Sequence, residues 1–240
     1  MNLIVFCTTM GHGGRHTYQE TIESILNQTK DYFSDRILHL KTKPSQEEKA
    51  EEIKNFAADK NFRIIESKAD VVHHSSNHQV HSAEYFKDVF KVYSDPTIRK
   101  QKYSFWLEDD WILKTQKYDL ISALRESENF LDNNTNQLCV RFNSAEEFKK
   151  CDKDHFQSAS KDIFTQGLKY TQWGSTFTFQ PNINRTSEIY AAWKAAQNHL
   201  DILGQYHCEL LSGDILKNLT ESQTPFSFYN PEKIYSQHIG

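Results

Sequence analysis

The first apolar positions of the chain fall in a nearly continuous run, Leu3–Cys7, the pattern of a strand covered on both faces. A polar, glycine-bearing loop follows. Tyr18, Ile22, Ile25 and Leu26 are then spaced to share one face of a helix, and Thr17-Tyr18-Gln19-Glu20 before them has the form of a capping box. The alternation continues. Ile37–Leu40 predicts a second strand, Ser45-Gln46-Glu47-Glu48 a second capping box opening a helix to about Lys60, and Phe62–Ile65 a third strand. Ser82–Tyr93 reads as a helix closed by Asp95-Pro96, and Tyr103–Leu107 as a fourth strand rich in aromatics. Strands alternating with helices imply parallel β-α-β units and an α/β fold.

The second half is less regular. Asp119–Leu131 and Thr186–Ala196 predict helices, the latter with Ile189, Trp193 and Ala196 facing inward, and Cys208–Leu219 is a further helical stretch. Leu138–Phe142, Thr176–Phe179 and Phe226–Tyr229 predict strands, the last followed by a tail to Gly240, while Ser144–Lys169 is polar and carries no readable period. No repeat, low-complexity tract or linker divides the chain, so one domain over 1–240 is the expectation.

Composition narrows the class. The 240 residues include 4 Trp, 11 Tyr and 16 Phe, which excludes disorder, and only 8 Gly and 5 Pro, which excludes collagen-like chains. A net charge of -4 leaves no electrostatic footprint for nonspecific nucleic-acid binding. No apolar run approaches the ~20 residues that span a bilayer, and the N-terminus lacks the basic start and long apolar core of a signal peptide. The four cysteines (7, 139, 151 and 208) are scattered without metal-binding spacing, which fits thiols in a cytoplasmic protein.

The chemistry concentrates after the fourth strand. Tyr103-Ser104-Phe105-Trp106-Leu107 runs directly into Glu108-Asp109-Asp110-Trp111. In open α/β sheets ligands bind beyond the carboxyl ends of the strands. Adjacent carboxylates repel one another unless a cation or bound protons relieve them, and Mg²⁺ or Mn²⁺ takes oxygen ligands of this kind. Three acids can also form a solvated turn, but their place at the end of a buried strand between two tryptophans favours the ligand reading. The loop Thr8-Thr9-Met10-Gly11-His12-Gly13-Gly14-Arg15-His16, between the first strand and its helix, is either a flexible turn or a phosphate-facing one. The cluster His73-His74-Ser75-Ser76-Asn77-His78 is compatible with zinc or with a solvated polar loop.

Glu108-x-Asp110 resembles the DxD motif of GT-A glycosyltransferases, and Thr21-Ile22-Glu23-Ser24-Ile25-Leu26-Asn27-Gln28-Thr29 resembles the first helix of glycosyltransferase family 2. The resemblance covers residues 1–115 well and the remainder loosely. It implies a GT-A fold, with a mixed, mostly parallel sheet flanked by helices and a Rossmann-like first half. Residues to about 115 would bind a nucleotide sugar, and residues from about 116 the acceptor. It implies a metal-dependent, inverting transfer of sugar from a nucleotide-diphosphate donor, a UDP-sugar foremost, to a hydroxyl on a glycan, a protein or a modified nucleobase.

Under this resemblance Asp110 would ligate Mn²⁺ or Mg²⁺, with Glu108 at the metal, and Glu108 or Asp109 at the donor ribose. Thr8, Thr9, Arg15 and Asn77 would line the donor site. The tail Gln237-His238-Ile239-Gly240 resembles a C-terminal closure in which a late His completes the metal shell, so His238 is either a ligand or a surface residue. The acceptor-activating base would be Glu209 or Asp214; the adjacent Glu-Asp usual in the family is absent. Trp173, Gly174 and Ser175 would border the acceptor, Trp173 as a sugar platform or as plain core. The family's acid near the end of the second strand, which contacts the base, is also missing from Leu38-His39-Leu40-Lys41-Thr42-Lys43. A nucleotidyltransferase on a related fold and a non-catalytic nucleotide-sugar or carbohydrate-binding module are the alternatives.

Overall fold

A computed structural model describes residues 1–11, 15–69, 78–115, 119–142, 161–165, 168–173, 180–197, 226–229 and 234–239. In chain order these form β1 (Asn2–Thr8), α1 (Tyr18–Thr29), β2 (Asp35–Thr42), α2 (Glu47–Asp59), β3 (Arg63–Lys68) and α3 (His78–Ser94). A short 3-10 turn at Ile98–Lys100 leads to β4 (Tyr103–Glu108), β5 (Trp111–Thr115), α4 (Leu120–Asn133) and β6 (Cys139–Arg141). Then come β7 (Lys161–Thr165), β8 (Leu168–Trp173), β9 (Asn182–Arg185), α5 (Thr186–Ala196), β10 (Phe226–Tyr229) and β11 (Ile234–His238).

Nine strands form one sheet in the order β3-β2-β1-β4-β9-β6-β10-β8-β7. β1 to β4 are mutually parallel, β6, β7 and β10 run with them, and only β9 and β8 run against the rest. This is the mixed, mostly parallel sheet expected. The central position of β1 explains its unbroken apolar run. Leu3, Val5 and Cys7 pack on one face with Ile22 and Ile25 of α1, Ile53 of α2 and Leu124 of α4. Ile4 and Phe6 pack on the other with Val89 and Val92 of α3 and Trp193 of α5. A strand buried on both sides has no polar face to alternate.

Several elements depart from the sequence pattern. β9 carries Asn182 and Asn184, both fully buried. Asn184 accepts from Tyr93 Oη at 3.0 Å and donates to Asn182 Oδ1 at 3.0 Å, while Asn2 of β1 donates to the Ile98 carbonyl at 2.8 Å. Hydrogen bonds hold the two β9 amides, but a period count scores them as surface residues. β7 lies in the polar stretch that carried no period, and β8 begins at its end. Neither capping box closes. Thr17, at the N-cap of α1, and Gln46, at that of α2, make no side-chain cap bond. The Thr17 hydroxyl is drawn into a tertiary contact instead, and Ser45 adopts φ 71° with its N–H on Glu47 Oε1 at 3.3 Å. The tail is a strand: β11 pairs antiparallel with β5 in a separate two-stranded sheet, setting His238 opposite Trp111. The predicted strand Thr176–Phe179 and helix Cys208–Leu219 lie outside the described residues. Among the described residues no helix is long and apolar enough to cross a membrane.

Candidate functional site

The carboxyl ends of β1, β2 and β4 lie side by side, with Thr8 in register with Lys41 and Phe6 with Glu108. A cavity of about 340 Å³ opens there. Its lining includes Thr8, Glu108 and Asp109 at the ends of β1 and β4, and His39, Lys41 and Asp88 from β2 and α3. Gly11, also in the lining, turns the chain with φ 63°. A side chain there would meet the Arg15 carbonyl oxygen at 2.4 Å, so only glycine fits.

The acidic turn is anchored from within. The Asp109 N–H donates to the Phe6 carbonyl at 2.9 Å, extending the β1–β4 ladder by one residue. Its carbonyl accepts from the hydroxyls of Thr17 and Thr21, both at 2.7 Å, and its Oδ2 accepts from the Thr8 N–H at 3.3 Å. The first turn of α1 therefore holds the acids at the end of β4, and Thr17 and Thr21 emerge as positioning residues of the site. Asp109 and Asp110 are both 3% exposed. Burial, then the neighbouring Asp109 carboxylate, push the Cys7 thiol well above its ordinary pKa.

Asp110 is fastened from the other side by the tail. Ile239 donates its N–H to the Asp110 carbonyl at 2.8 Å, and His238 Nε2 donates to Asp110 Oδ2 at 2.7 Å, with the imidazole against the Trp111 ring at 5.2 Å between centroids. Arg15 completes the closure: its guanidinium donates to the Ile239 carbonyl at 3.3 Å and to both Glu20 carboxylate oxygens at 3.1 Å.

The predicted residues thus separate. Thr8, Glu108 and Asp109 line the cavity, and Asp110 and His238 meet although 128 positions apart. Thr9 is fully buried and outside the lining; its hydroxyl accepts from the Lys43 N–H at 2.9 Å and ties the end of β1 to that of β2. Arg15 holds the tail from an exposed position. Trp173 ends β8 in register with Phe226 of β10. Asn77, Gly174, Ser175, Glu209 and Asp214 lie outside the described residues.

Sequence reasoning missed the charged cluster between β2 and α3. Lys41 Nζ lies 2.8 Å from Glu84 Oε2 and 3.1 Å from Asp88 Oδ2, and His39 Nε2 is 3.6 Å from Asp88 Oδ1. Burial alone would push the Asp88 carboxyl up, but the His39 imidazole, then Lys41, outweigh it and hold Asp88 below the usual carboxylate range. Glu84 and Asp88, four apart on α3, share a helix face toward β2. That spacing was the available signal, and it could not be assigned to a partner strand from sequence.

The donor set suits a hard-to-borderline divalent cation. Asp110 offers a carboxylate and His238 an imidazole at contact distance, with Glu108 on the cavity wall. Oxygen with one nitrogen is a set that Mn²⁺ accepts readily and Mg²⁺ less so. Among the described residues no three His, Cys, Asp or Glu side chains converge tightly enough to hold an ion by themselves.

No protein-family model and no curated protein sequence matches the chain. Solved structures do. An active-site mutant of the galactosyltransferase LgtC aligns with 96% of this chain and 73% of its own at a TM-score of 0.53 and 10% identity. A fragment of Staphylococcus aureus TarS aligns with 98% of this chain at 0.50 and 8% identity, and this chain spans 60% of it. A Bacillus anthracis protein assigned as a glucose-1-phosphate thymidylyltransferase, with sucrose bound, aligns at 0.50 and 8% identity over 99% of this chain and 89% of its own. At such identities the likeness defines the fold alone: the chain has the GT-A fold.

Proposed function

We propose that the chain is a glycosyltransferase that moves a sugar from a nucleotide-diphosphate donor to a hydroxyl acceptor. The observation that carries this reading is the meeting of Asp110 and His238 beside a cavity at the carboxyl ends of β1, β2 and β4. The galactosyltransferase fold neighbour supports it. Asp110, His238 and Glu108 would hold Mn²⁺ or Mg²⁺, and the bound ion would supply Lewis-acid stabilisation of the departing diphosphate. Thr8 lines the donor cavity and Thr9 ties the end of β1 to that of β2, while Asp109 keeps the turn in register. The acceptor hydroxyl oxygen bonds to the anomeric carbon, the bond from that carbon to the diphosphate oxygen breaks, and the proton passes to a general base. Glu209 or Asp214 is that base in an inverting transfer, and Trp173, Gly174 and Ser175 border the acceptor. Residues to about 115 form the donor half and those beyond it the acceptor half of one domain. The buried, unbridged Cys7 and Cys139 suit the cytoplasm.

The thymidylyltransferase neighbour keeps a second reading in view, nucleotidyl transfer. The products separate the two. With Mn²⁺ and a panel of UDP- and GDP-sugars, glycosyl transfer or hydrolysis releases a nucleoside diphosphate, whereas nucleotidyl transfer from a nucleoside triphosphate releases pyrophosphate. Asp110→Asn should abolish release, with His238→Ala lowering it at limiting Mn²⁺. Undiminished turnover in Asp110→Asn refutes the assigned role.

A further inference from the structure

The helix layer on the α3 side of the sheet carries a charge that the chain as a whole does not. α3, the 3-10 turn at Ile98–Lys100 and α5 pack on one another. Lys87 and Lys91 of α3, Lys100 of the turn and Lys194 of α5 are exposed, and Arg99 beside them is half-buried. Among the described residues no carboxylate pairs with any of these cations. Lys91 donates to the Glu66 carbonyl, a neutral acceptor that leaves its charge uncompensated. The nearby acids are engaged elsewhere: Glu84 and Asp88 with Lys41, Asp95 with Arg63, and Glu66 with Lys54. Glu188 of α5 is the carboxylate left unpaired on these elements. The whole chain carries a net charge of -4, so positive charge is gathered on this face, and such a field steers a protein toward anionic surfaces.

Aromatic rings lie among the cations. The Arg99 guanidinium is 4.1 Å from the centroid of the Tyr190 ring, and that ring lies 6.0 Å from Phe90 and 11° from parallel with it, both rings only partly buried. Cations interleaved with half-exposed aromatics fit the headgroup region of a bilayer, where charge meets phosphate and amphipathic rings sit at the boundary. A nucleic-acid strand is held instead by a groove with rings open to its bases. Tyr190 is already engaged by Arg99 and Phe90, and none of these residues lines the cavity at the acidic turn.

We propose that the outer face of α3, the 3-10 turn and α5 is a docking surface for an anionic lipid bilayer, held by Lys87, Lys91, Arg99, Lys100 and Lys194. α3 then serves twice: its Tyr85 and Asp88 line the cavity, while Lys87 and Lys91 are exposed to solvent. Docking therefore sets the cavity beside the lipid surface. It stands independently of the sugar-transfer reading.

The test is flotation of the full chain with phosphatidylcholine vesicles and with vesicles of phosphatidylcholine and phosphatidylglycerol in equal parts. The protein should float with the mixed vesicles and not with phosphatidylcholine alone. Raising NaCl from about 0.05 to about 0.5 M should release it, because screening shortens the reach of surface charge. Each lysine near an anionic surface contributes about fivefold to adsorption. The pair Lys87→Gln with Lys91→Gln, and the pair Lys100→Gln with Lys194→Gln, should therefore each weaken partitioning by about twentyfold. The pair Lys49→Gln with Lys54→Gln removes the same charge from α2, on the opposite face of the sheet, and should change partitioning by less than about twofold. No flotation with the mixed vesicles, equal flotation with both kinds, or an equal loss in the α2 pair overturns the proposal. So does a labelled single-stranded oligonucleotide that binds where vesicles do not and is released by the same lysine variants, since the partner would then be a nucleic acid.

Discussion

The most exacting consequence of this architecture concerns two threonines. The hydroxyls of Thr17 and Thr21, 1% and 0% exposed, both donate to the carbonyl of Asp109, each at 2.7 Å. Valine keeps the branched shape and removes the donor. Either single change should cost about 1 kcal/mol, the net value of a hydrogen bond whose acceptor keeps a second hydroxyl partner. The double change strips that buried carbonyl of both hydroxyls. The cost should then include desolvation of the acceptor, about 1–3 kcal/mol beyond the sum of the singles. Thr29→Val is the control, made at a fully buried threonine at the end of the same helix. The Thr29 hydroxyl donates to the Ile25 carbonyl four residues back at 2.8 Å, a local bond that adds little to a helix, and its loss should cost under about 0.5 kcal/mol. Urea denaturation of the four variants and the wild type, followed by circular dichroism, gives the cycle. Because the same contacts set the acidic turn against α1, the double variant should also lose Mn²⁺ affinity. A double variant additive to within about 0.3 kcal/mol, or a Thr29→Val cost equal to the others, refutes the anchoring argument.

Cys7 is buried with its thiol held well up by burial and by Asp109, so iodoacetamide at pH 8 should leave it unmodified in native protein and label it fully in urea, read by peptide mass mapping. Asp88 has a depressed native pKa, so its ionised form contributes stability that is complete above the ordinary carboxylate value of about 3.9 and is lost as pH falls through the lower native value. The stability gap between wild type and Asp88→Asn should therefore be widest near neutrality and narrow in acid below about pH 4, a trend that denaturation midpoints across pH will confirm or contradict.

What could be read in the linear chain is what local periodicity encodes. The strands at the centre of the sheet declared themselves because burial on both faces demands unbroken apolar runs, as in Leu3–Cys7 and Tyr103–Leu107. The helices α1 and α5 declared themselves by one apolar stripe each. Glu108-Asp109-Asp110 was conspicuous because three adjacent carboxylates at the end of a buried strand repel one another. Tertiary structure decided the rest, for a common reason: each missed feature depends on a partner distant along the chain. The buried amides of β9 look like surface until Tyr93 of α3 donates to Asn184 and Asn184 in turn to Asn182. Thr17 looks like a helix cap until the Asp109 carbonyl claims its hydroxyl. His238 is an ambiguous tail residue until β11 pairs with β5 and sets it on Asp110. Lys41 looks like a solvated strand end until α3 brings Glu84 and Asp88 against it. Hydrophobic burial leaves a periodic trace in sequence, whereas hydrogen bonds and ion pairs need only two atoms at the right distance, and the fold alone supplies that distance.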